Sequence, residues 1–165
     1  MGEAVKTLLG ICVLQKGPQE LPYSPTALIA FIAAGAALSH IAADNLPAAA
    51  NISLQILIAI VFGLSFIYAA LVIRNLTERF MQSATAIFGA DAVISIPVAG
   101  VTFGLDGTSP EQAPLAALIV LLLWLWHISV VGHILRHALE VRLPLGVLIA
   151  ILYSFLSFRV VQIAT

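Results

Sequence analysis

Five long apolar stretches constrain this chain more than any other feature of its sequence. They lie near residues 25–43, 50–73, 84–104, 113–135 and 144–163. Each matches the roughly 20 helical residues that cross a hydrocarbon core of about 30 Å. Of all residues, 61% are hydrophobic and only 9% are charged, whereas a soluble domain carries about 25% charged residues. The sequence therefore predicts an all-α, polytopic membrane protein, a bundle of five transmembrane helices.

The breaks between the stretches carry ordinary signals for starting and stopping a helix. Ser24 followed by Pro25 is typical of an N-cap and a first helical position. The residues SPEQ at 109–112 fit a capping box, and DNLP at 44–47 indicates a tight turn. Because the loops are short, consecutive helices are expected to be antiparallel neighbours.

The first 24 residues differ from the rest of the chain. At helical spacing, one side carries Met1, Val5, Leu8, Leu9, Cys12 and Val13, and the other carries Glu3, Lys6, Thr7 and Lys16. This pattern predicts a short amphipathic helix in the membrane interface. The alternative is a frayed tail, since short helices are marginal on their own. We therefore divide the chain into a cytoplasmic interfacial segment, 1–24, and a five-helix transmembrane domain, 25–165.

The basic residues predict the orientation in the membrane. Six of the seven fall on one side of the predicted bundle: Lys6, Lys16, Arg74, Arg79, Arg136 and Arg142. The loops at 44–49 and 105–112 contain no lysine or arginine. Under the positive-inside rule the N-terminus is cytoplasmic and the C-terminus lies outside, in the periplasm of a bacterial inner membrane. The seventh, Arg159, is interpreted as an arginine that snorkels to the outer interface, near an acid such as Glu111.

Two ionisable side chains lie well inside the predicted spans. At 1.5 Å per residue, Asp91 is about 10 Å from the cytoplasmic end of the third span, and His127 lies at a similar depth in the fourth. An ionised carboxylate that faces lipid is costly, so Asp91 is expected to be neutral or to face a partner. His127 is that partner. We interpret the two as a structural hydrogen-bonded pair, with a proton relay that leaves through His133 as the alternative.

His133 and His137 share one helical face because they are four residues apart. They are candidates for a relay or for a metal site, to which Asp91 and Glu140 would add ligands. Two histidines do not make a zinc site, which takes three or four protein ligands, so neither a metal nor another cofactor is predicted. His137 is better interpreted as a cation at the end of a helix, among the lipid headgroups.

An enzymatic interpretation depends on Ser65. The residues Gly63-Leu64-Ser65 are similar to the Gly-x-Ser of rhomboid-type intramembrane serine proteases. However, Phe66 follows where a small residue is expected, and a nucleophile also needs a base and an oxyanion hole. A serine in a membrane helix more often bonds to its own backbone. The chain is therefore predicted not to be an enzyme.

Two further features bear on helix packing. The residues AAGAALS at 33–39, with Gly35 among them, form a small-residue face on which another backbone can approach closely. Pro97 shares the third span with three glycines, which predicts a kinked or locally broken helix. A broken helix can line a cavity, and a proline kink is also common scaffolding.

The layout resembles the small bacterial branch of the Yip domain family, the Ypt-interacting proteins. The resemblance rests on the N-terminal GPQELPYSP, the five close-set spans, and the fourth-span pattern LWLWHISVVGHILRHALEVRLPLGVLIA. It covers nearly the whole chain, but its motifs are diffuse. Eukaryotic members act in membrane trafficking and bind small GTPases through a long cytosolic region that has no counterpart here. The resemblance therefore implies no site residue and no GTPase partner.

The sequence thus predicts a non-catalytic membrane protein of Yip-like type that acts as a scaffold or interaction partner. The expected partners are the lipid bilayer, a second copy of the chain or other membrane proteins, and not nucleic acid. The small-residue faces and the N-terminal helix would mediate such association. The alternative is a proton- or small-solute-conducting subunit that uses Asp91, His127 and His133.

Overall fold

The computed structural model describes residues 2–44, 51–103 and 113–164. Over these residues the chain forms six α-helices, which are α1 (Gly2–Cys12), α2 (Pro25–Asp44), α3 (Ile52–Arg74), α4 (Phe80–Phe103), α5 (Pro114–Ala138) and α6 (Leu143–Ala164). The last five are long and apolar enough to cross a membrane. The prediction of an all-α, polytopic membrane protein with a short N-terminal helix is confirmed.

The predicted helix starts hold where the structure describes them, with one shift. The hydroxyl of Ser24 accepts a hydrogen bond from the N–H of Ala27 at 3.2 Å, so Ser24 caps α2 as expected. Helix α4 begins at Phe80, before the predicted start near 84, and it continues through Pro97 instead of breaking there. The capping box at 109–112 and most of the turn at 44–47 lie outside the described residues.

Helix α4 contacts α2, α3 and α5, and α6 joins the bundle through α5 and α3. Helix α2 runs along α4 over the longest contact, α5 packs on α4 and on α6, and α3 packs mainly on α6. The small-residue face of α2 is used in this packing, because a Cβ at Gly35 would meet Ala92 of α4 at 3.8 Å. The α5–α6 contact is tighter still, since a Cβ at Gly146 would lie only 2.5 Å from the carbonyl oxygen of Gly132.

The two halves of the bundle differ in packing. We call the half that holds the starts of α2, α4 and α6 and the ends of α3 and α5 the α1 half, and the other the far half. All the buried residues of α5 fall between Ile128 and Ala138. Ten of the twelve buried residues of α4 fall between Ser83 and Ile94. The protein core therefore lies in the α1 half.

Helix α1 packs against α4 and α5 at this core. Its buried residues are Ala4, Thr7, Leu8, Ile11 and Cys12. Leu8 sits directly on Gly89, where a Cβ would lie 2.7 Å from the Leu8 side chain. The expected division of the helix was wrong for Thr7, which is buried, whereas Val5, Leu9 and Val13 are 42%, 49% and 58% exposed, as residues of a lipid-facing side would be. One side of α1 thus contacts protein, and an adjacent apolar side is left for lipid.

Side chains of α4 and α5 bind the backbone that follows α1. The indole N–H of Trp126 donates to the carbonyl of Cys12 at 3.0 Å, which satisfies an acceptor at the end of a helix. The amide of Gln82 donates to the carbonyls of Gln19 at 3.2 Å and Leu21 at 2.7 Å. These bonds hold residues 12–21 against the bundle.

Candidate functional site

Asp91 and His127 meet in the interior of the bundle. Asp91 lies on α4 and His127 on α5, and Nε2 of His127 is 2.7 Å from Oδ1 of Asp91. Both side chains are only partly covered, with His127 21% and Asp91 30% exposed. The structure therefore brings together the two residues that depth alone had paired. Their remaining exposure means that the pair faces a space and is not sealed in the core.

That space is a cavity of about 430 Å³ between α2, α3, α4, α5 and α6. It extends from the pair into the far half, and side chains of all five long helices line it. Its volume falls in the range of roughly 300–1,000 Å³ that is usual for small-molecule sites. The five long helices therefore line an open cavity with room for a ligand beside the two ionisable groups.

The cavity wall combines hydroxyl groups with aromatic rings. The hydroxyl groups belong to Ser39, Ser95, Tyr153, Ser154 and Ser157. The aromatic rings belong to Phe31, Phe88, Trp124, Tyr153 and Phe158, and most of the remaining lining is aliphatic. Several polar groups that converge in a mostly apolar cavity are typical of a ligand site.

Ser154 and Tyr153 show how tightly part of this wall is built. The Oγ of Ser154 is buried and has no hydrogen-bond partner among the residues that the structure describes. The ring of Tyr153 stacks on Phe62 with centroids 6.0 Å apart, and its hydroxyl lies 3.0 Å from where a Cβ of Gly63 would be. Gly63 thus leaves the room that the Tyr153 hydroxyl occupies.

The sequence analysis missed the hydroxyl groups of the cavity. A signal for some of them was present, because Asp91 and Ser95 are spaced i, i+4 on α4, and Ser154 and Ser157 are spaced i, i+3 on α6. Such spacings place polar side chains on one face of a helix. Which faces turn towards Asp91 depends on helix rotation, which an apolar sequence does not reveal.

His133 and His137 lie away from the cavity. Nε2 of His133 donates a hydrogen bond to the carbonyl of Lys16 at 2.9 Å, so His133 helps to hold the segment after α1. The two rings pack edge to face with centroids 4.7 Å apart. Over the described residues, no three His, Cys, Asp or Glu side chains lie together as metal ligands would. The structure thus brings His133 to His137 but not to the Asp91–His127 pair.

Ser65 lies apart from the pair as well. Its hydroxyl donates to the carbonyl of Val61 at 2.7 Å, one turn earlier in α3. The residues of α3 that line the cavity are Ile56, Ala59 and Ile60. The bond from Ser65 to its own helix is the one expected for a serine in a membrane span.

The basic side chains gather at the end of the α1 half. The guanidinium of Arg74 donates to the carbonyl of Leu139 at 3.1 Å. The guanidinium of Arg79 donates to the carbonyl of His137 at 3.4 Å and pairs with Glu140. Both arginines therefore bind the last turn of α5, where cations suit the helix dipole. Lys6 and Lys16 pair with Glu3 and Glu20 in α1 and the turn after it.

The three remaining basic residues are Arg136 and Arg142, at the end of the α1 half, and Arg159 in the far half. Arg136 is half-buried near the end of α5, and Arg142 is exposed just before α6. Arg159 is exposed on α6 in the far half. Its expected partner Glu111 lies outside the described residues.

Cys12 is buried where α1 meets the bundle. Burial, and secondarily the negative charge of Asp91, raises the pKa of its thiol to about 11. Since the thiolate is the reactive form, this cysteine is inert near neutral pH.

Comparisons of this chain with protein-family models, with curated proteins and with solved structures found no match in any of the three.

Proposed function

We propose that this polytopic membrane protein is a non-catalytic, proton- or small-solute-conducting protein in which Asp91 and His127 bind the species that is moved. The observation that carries the proposal is the 2.7 Å pair at the 430 Å³ cavity inside the spans. Ionisable side chains in a membrane span are costly and commonly mark ion and proton pathways. A purely structural pair gains most from complete burial, but this pair faces open space.

The packing of the two halves supports a cavity that opens on one side at a time. Below the pair, the α1 half is filled by fully buried side chains such as Leu8, Ile87 and Ile134. His133 is held by Lys16 and does not extend the pair into a relay. A solute that enters the far half therefore needs a change in helix packing before it can leave through the α1 half.

The proposed orientation places the α1 half at the cytoplasmic face of a bacterial inner membrane. It is supported by the arginines and lysines that gather at that end, in line with the positive-inside rule. The cavity then lies in the outer half of the bilayer. A tag at the C-terminus tests this: we expect it to react with an impermeant reagent added to intact cells, and protection of the tag would reverse the orientation.

The proposal is tested with the full-length chain in liposomes that hold a pH gradient. We expect the gradient to decay faster with wild-type protein than in empty vesicles, and this excess to disappear in Asp91→Asn. Asparagine keeps the size of the side chain and removes its charge. Glu3→Gln is the matched control, since it removes an exposed carboxylate on α1 far from the cavity. An excess flux that survives Asp91→Asn contradicts the proposal, and so does a wild type that shows no excess both without added solute and with a candidate cation supplied as the exchange partner of the proton.

A second candidate function is association with a second copy or with other membrane components, which the Yip-like layout favours. The specific observation is the apolar side of α1 that the bundle leaves uncovered, at Val5, Leu9 and Val13. Leu9→Cys in a Cys12→Ser background is expected to form disulfide-linked dimers in membranes. Ile163→Cys, at an apolar position in the far half that is more exposed than Leu9, is the control. Equal cross-linking at both positions argues against α1 as the contact.

A further inference from the structure

The charged side chains that face the cavity determine which ligand charge the cavity can accept. Within the described part of the chain, the acidic and basic side chains that line it are Asp91 and His127, and no lysine or arginine does so. The pair is neutral when a proton is held between the two groups and carries one negative charge when that proton leaves. An anionic ligand would meet this carboxylate with no compensating cation. The electrostatics therefore favour a cation.

The groups around Asp91 do not offer another charge. Helix α5 presents His127, α6 presents the Tyr153 phenol, and α1 brings the protonated thiol of Cys12 near enough to sense the carboxylate. Helices α2 and α3 contribute serine, phenylalanine and aliphatic side chains. The proton shared with His127 is thus the group that a bound cation would replace.

The aromatic side chains that line the cavity indicate which kind of cation it would bind. Rings of Phe31, Phe88, Trp124, Tyr153 and Phe158 line the same cavity. Aromatic faces attract organic cations electrostatically, and such contacts gain strength where water is excluded. A strongly hydrated inorganic ion would exchange its water for a mostly apolar wall. An organic cation with an apolar body matches both the carboxylate and the rings.

The hydroxyl of Ser154 is the second observation that points to an occupant. It is buried at the cavity wall without a partner. Buried polar groups nearly always have a hydrogen-bond partner, and an exception calls for an explanation such as a ligand or water. The N–H of a protonated amine would satisfy this oxygen once the side chains that cover it move aside, whereas a quaternary ammonium has no N–H to donate.

We propose that the cavity binds a small lipophilic monovalent cation, an aryl-alkyl amine or quaternary ammonium, in exchange for the proton held between Asp91 and His127. This rests on the proposed function, whose solute it identifies by chemical class. No covalent step is involved. The cation neutralises the carboxylate after the proton has left, and the aromatic rings and Ser154 contact the rest of the molecule.

A set of three probes of similar shape tests the class: benzyltrimethylammonium, the neutral neopentylbenzene and the anion phenylmethanesulfonate. Each is titrated into the purified full-length protein in lipid nanodiscs. The chain has two tryptophans, of which Trp124 lines the cavity and Trp126 bonds to Cys12. The fluorescence of Trp126→Phe therefore reports on the cavity, and that of Trp124→Phe is the control. A pH dye in weakly buffered solution measures protons released on binding.

We expect the cation to change the fluorescence of Trp126→Phe but not of Trp124→Phe, and to release about one proton per molecule bound. We expect the neutral and anionic probes to bind at least about tenfold more weakly, a difference of about 1.4 kcal/mol. Asp91→Asn should remove the preference for the cation, whereas Asp91→Glu should keep it. The three probes are compared on protein that retains Asp91. That comparison therefore tests the cation class even if Asp91→Asn does not fold.

The outcomes separate this inference from the proposed function. Equal binding of the cation and the neutral probe, or binding without proton release, overturns the cation class. If proton flux in liposomes still depends on Asp91 in that case, the proposed function stands. Conversely, cation binding that depends on Asp91, with no proton movement in liposomes with or without the cation, leaves a binding site and retires the transport function.

Discussion

The α1 half and the far half of this bundle are built from the same five long helices, yet they are packed in opposite ways. In the α1 half, small residues let the helices touch, and α1 closes the remaining space over Gly89. In the far half, the same helices enclose a cavity whose floor is the Asp91–His127 pair. The close packing and the cavity with its polar pair are thus separated along the axis of the bundle. The helices come together firmly at one end, which allows the other end to hold an open, costly polar site.

The difference in packing between the two halves is tested most directly by adding a side chain at one glycine in each half. A Cβ at Gly146 in the α1 half would lie 2.5 Å from the backbone oxygen of Gly132, whereas a Cβ at Gly100 in the far half meets nothing within 4 Å. Gly146→Ala should therefore destabilise the protein by about 1–3 kcal/mol, the usual cost of overpacking. Gly100→Ala should be neutral or slightly stabilising, because alanine favours a helix by about 1 kcal/mol over glycine.

Thermal unfolding in detergent, followed by circular dichroism, measures both glycine variants. A fall in Tm for Gly146→Ala together with an unchanged or raised Tm for Gly100→Ala fits the division into halves. Similar losses in the two variants would mean that the far half is packed as tightly as the α1 half.

The reactivity of the Cys12 thiol measures how firmly α1 is docked on the α1 half. With a pKa of about 11, roughly one thiol in a thousand is ionised at pH 8, against about a quarter for a free cysteine. The alkylation rate of the wild type should therefore rise with pH up to about 11. Gly89→Val pushes against Leu8 and should undock α1. The thiol pKa then falls towards 8.5, and alkylation at pH 8 accelerates by roughly 200-fold.

The matched control for the Cys12 experiment is Gly100→Val, on the same helix but in open space. Its alkylation profile should follow that of the wild type. If both valine variants react at the wild-type rate, α1 does not depend on Gly89 for docking.

The sequence predicted the five spans and the Asp91–His127 pair, but not the contrast in packing between the two halves. Span number and length follow from continuous hydrophobicity, and the pairing of Asp91 with His127 follows from counting residues from the helix ends. The contacts that hold α1 do not follow in this way. Trp126 and His133 bind backbone carbonyls that lie 114 and 117 residues away in the chain. Such acceptors carry no side-chain signature, so His133 was assigned to a relay or a metal.

The cavity was missed for a related physical reason. Its hydroxyl groups are single serines in apolar helices, and a serine bonded to its own backbone, such as Ser65, looks the same in sequence. Ser154 differs from Ser65 because its helix face turns towards the other helices and its hydroxyl is buried without a partner. Helix rotation is set by close contacts such as that of Gly132 with Val147, which no periodicity predicts when nearly every position is apolar.

The two tryptophans provide a smaller, matched test of the two halves. Trp126→Phe removes the hydrogen bond to Cys12 and should cost about 1 kcal/mol, the usual net value of one such bond. Trp124→Phe removes an indole that is 47% exposed beside the cavity and should cost less. Tm values in detergent compare the pair, and a larger loss for Trp124→Phe would mean that packing of this indole in the far half stabilises the fold more than the Trp126 hydrogen bond does.

The smallest change in stability is expected for Ser154→Ala. Whether this substitution raises or lowers the Tm shows whether the hydroxyl is already satisfied within the fold. An orphaned buried hydroxyl is a cost to the folded state, so Ser154→Ala should leave the Tm unchanged or raise it slightly, within about 1 kcal/mol of the wild type. Ser129→Ala is the control, because the hydroxyl of Ser129 is exposed and bonds to its own helix at Leu125; it should also be near neutral. The two variants should separate only when protonated N,N-dimethylbenzylamine is present, because its single N–H can donate to the Ser154 hydroxyl: the cation should raise the Tm of Ser129→Ala as much as that of the wild type, and that of Ser154→Ala by less. A marked loss of stability in Ser154→Ala without any ligand would mean that this hydroxyl is already satisfied within the fold, and the far half would then be a scaffold with no unfilled polar position.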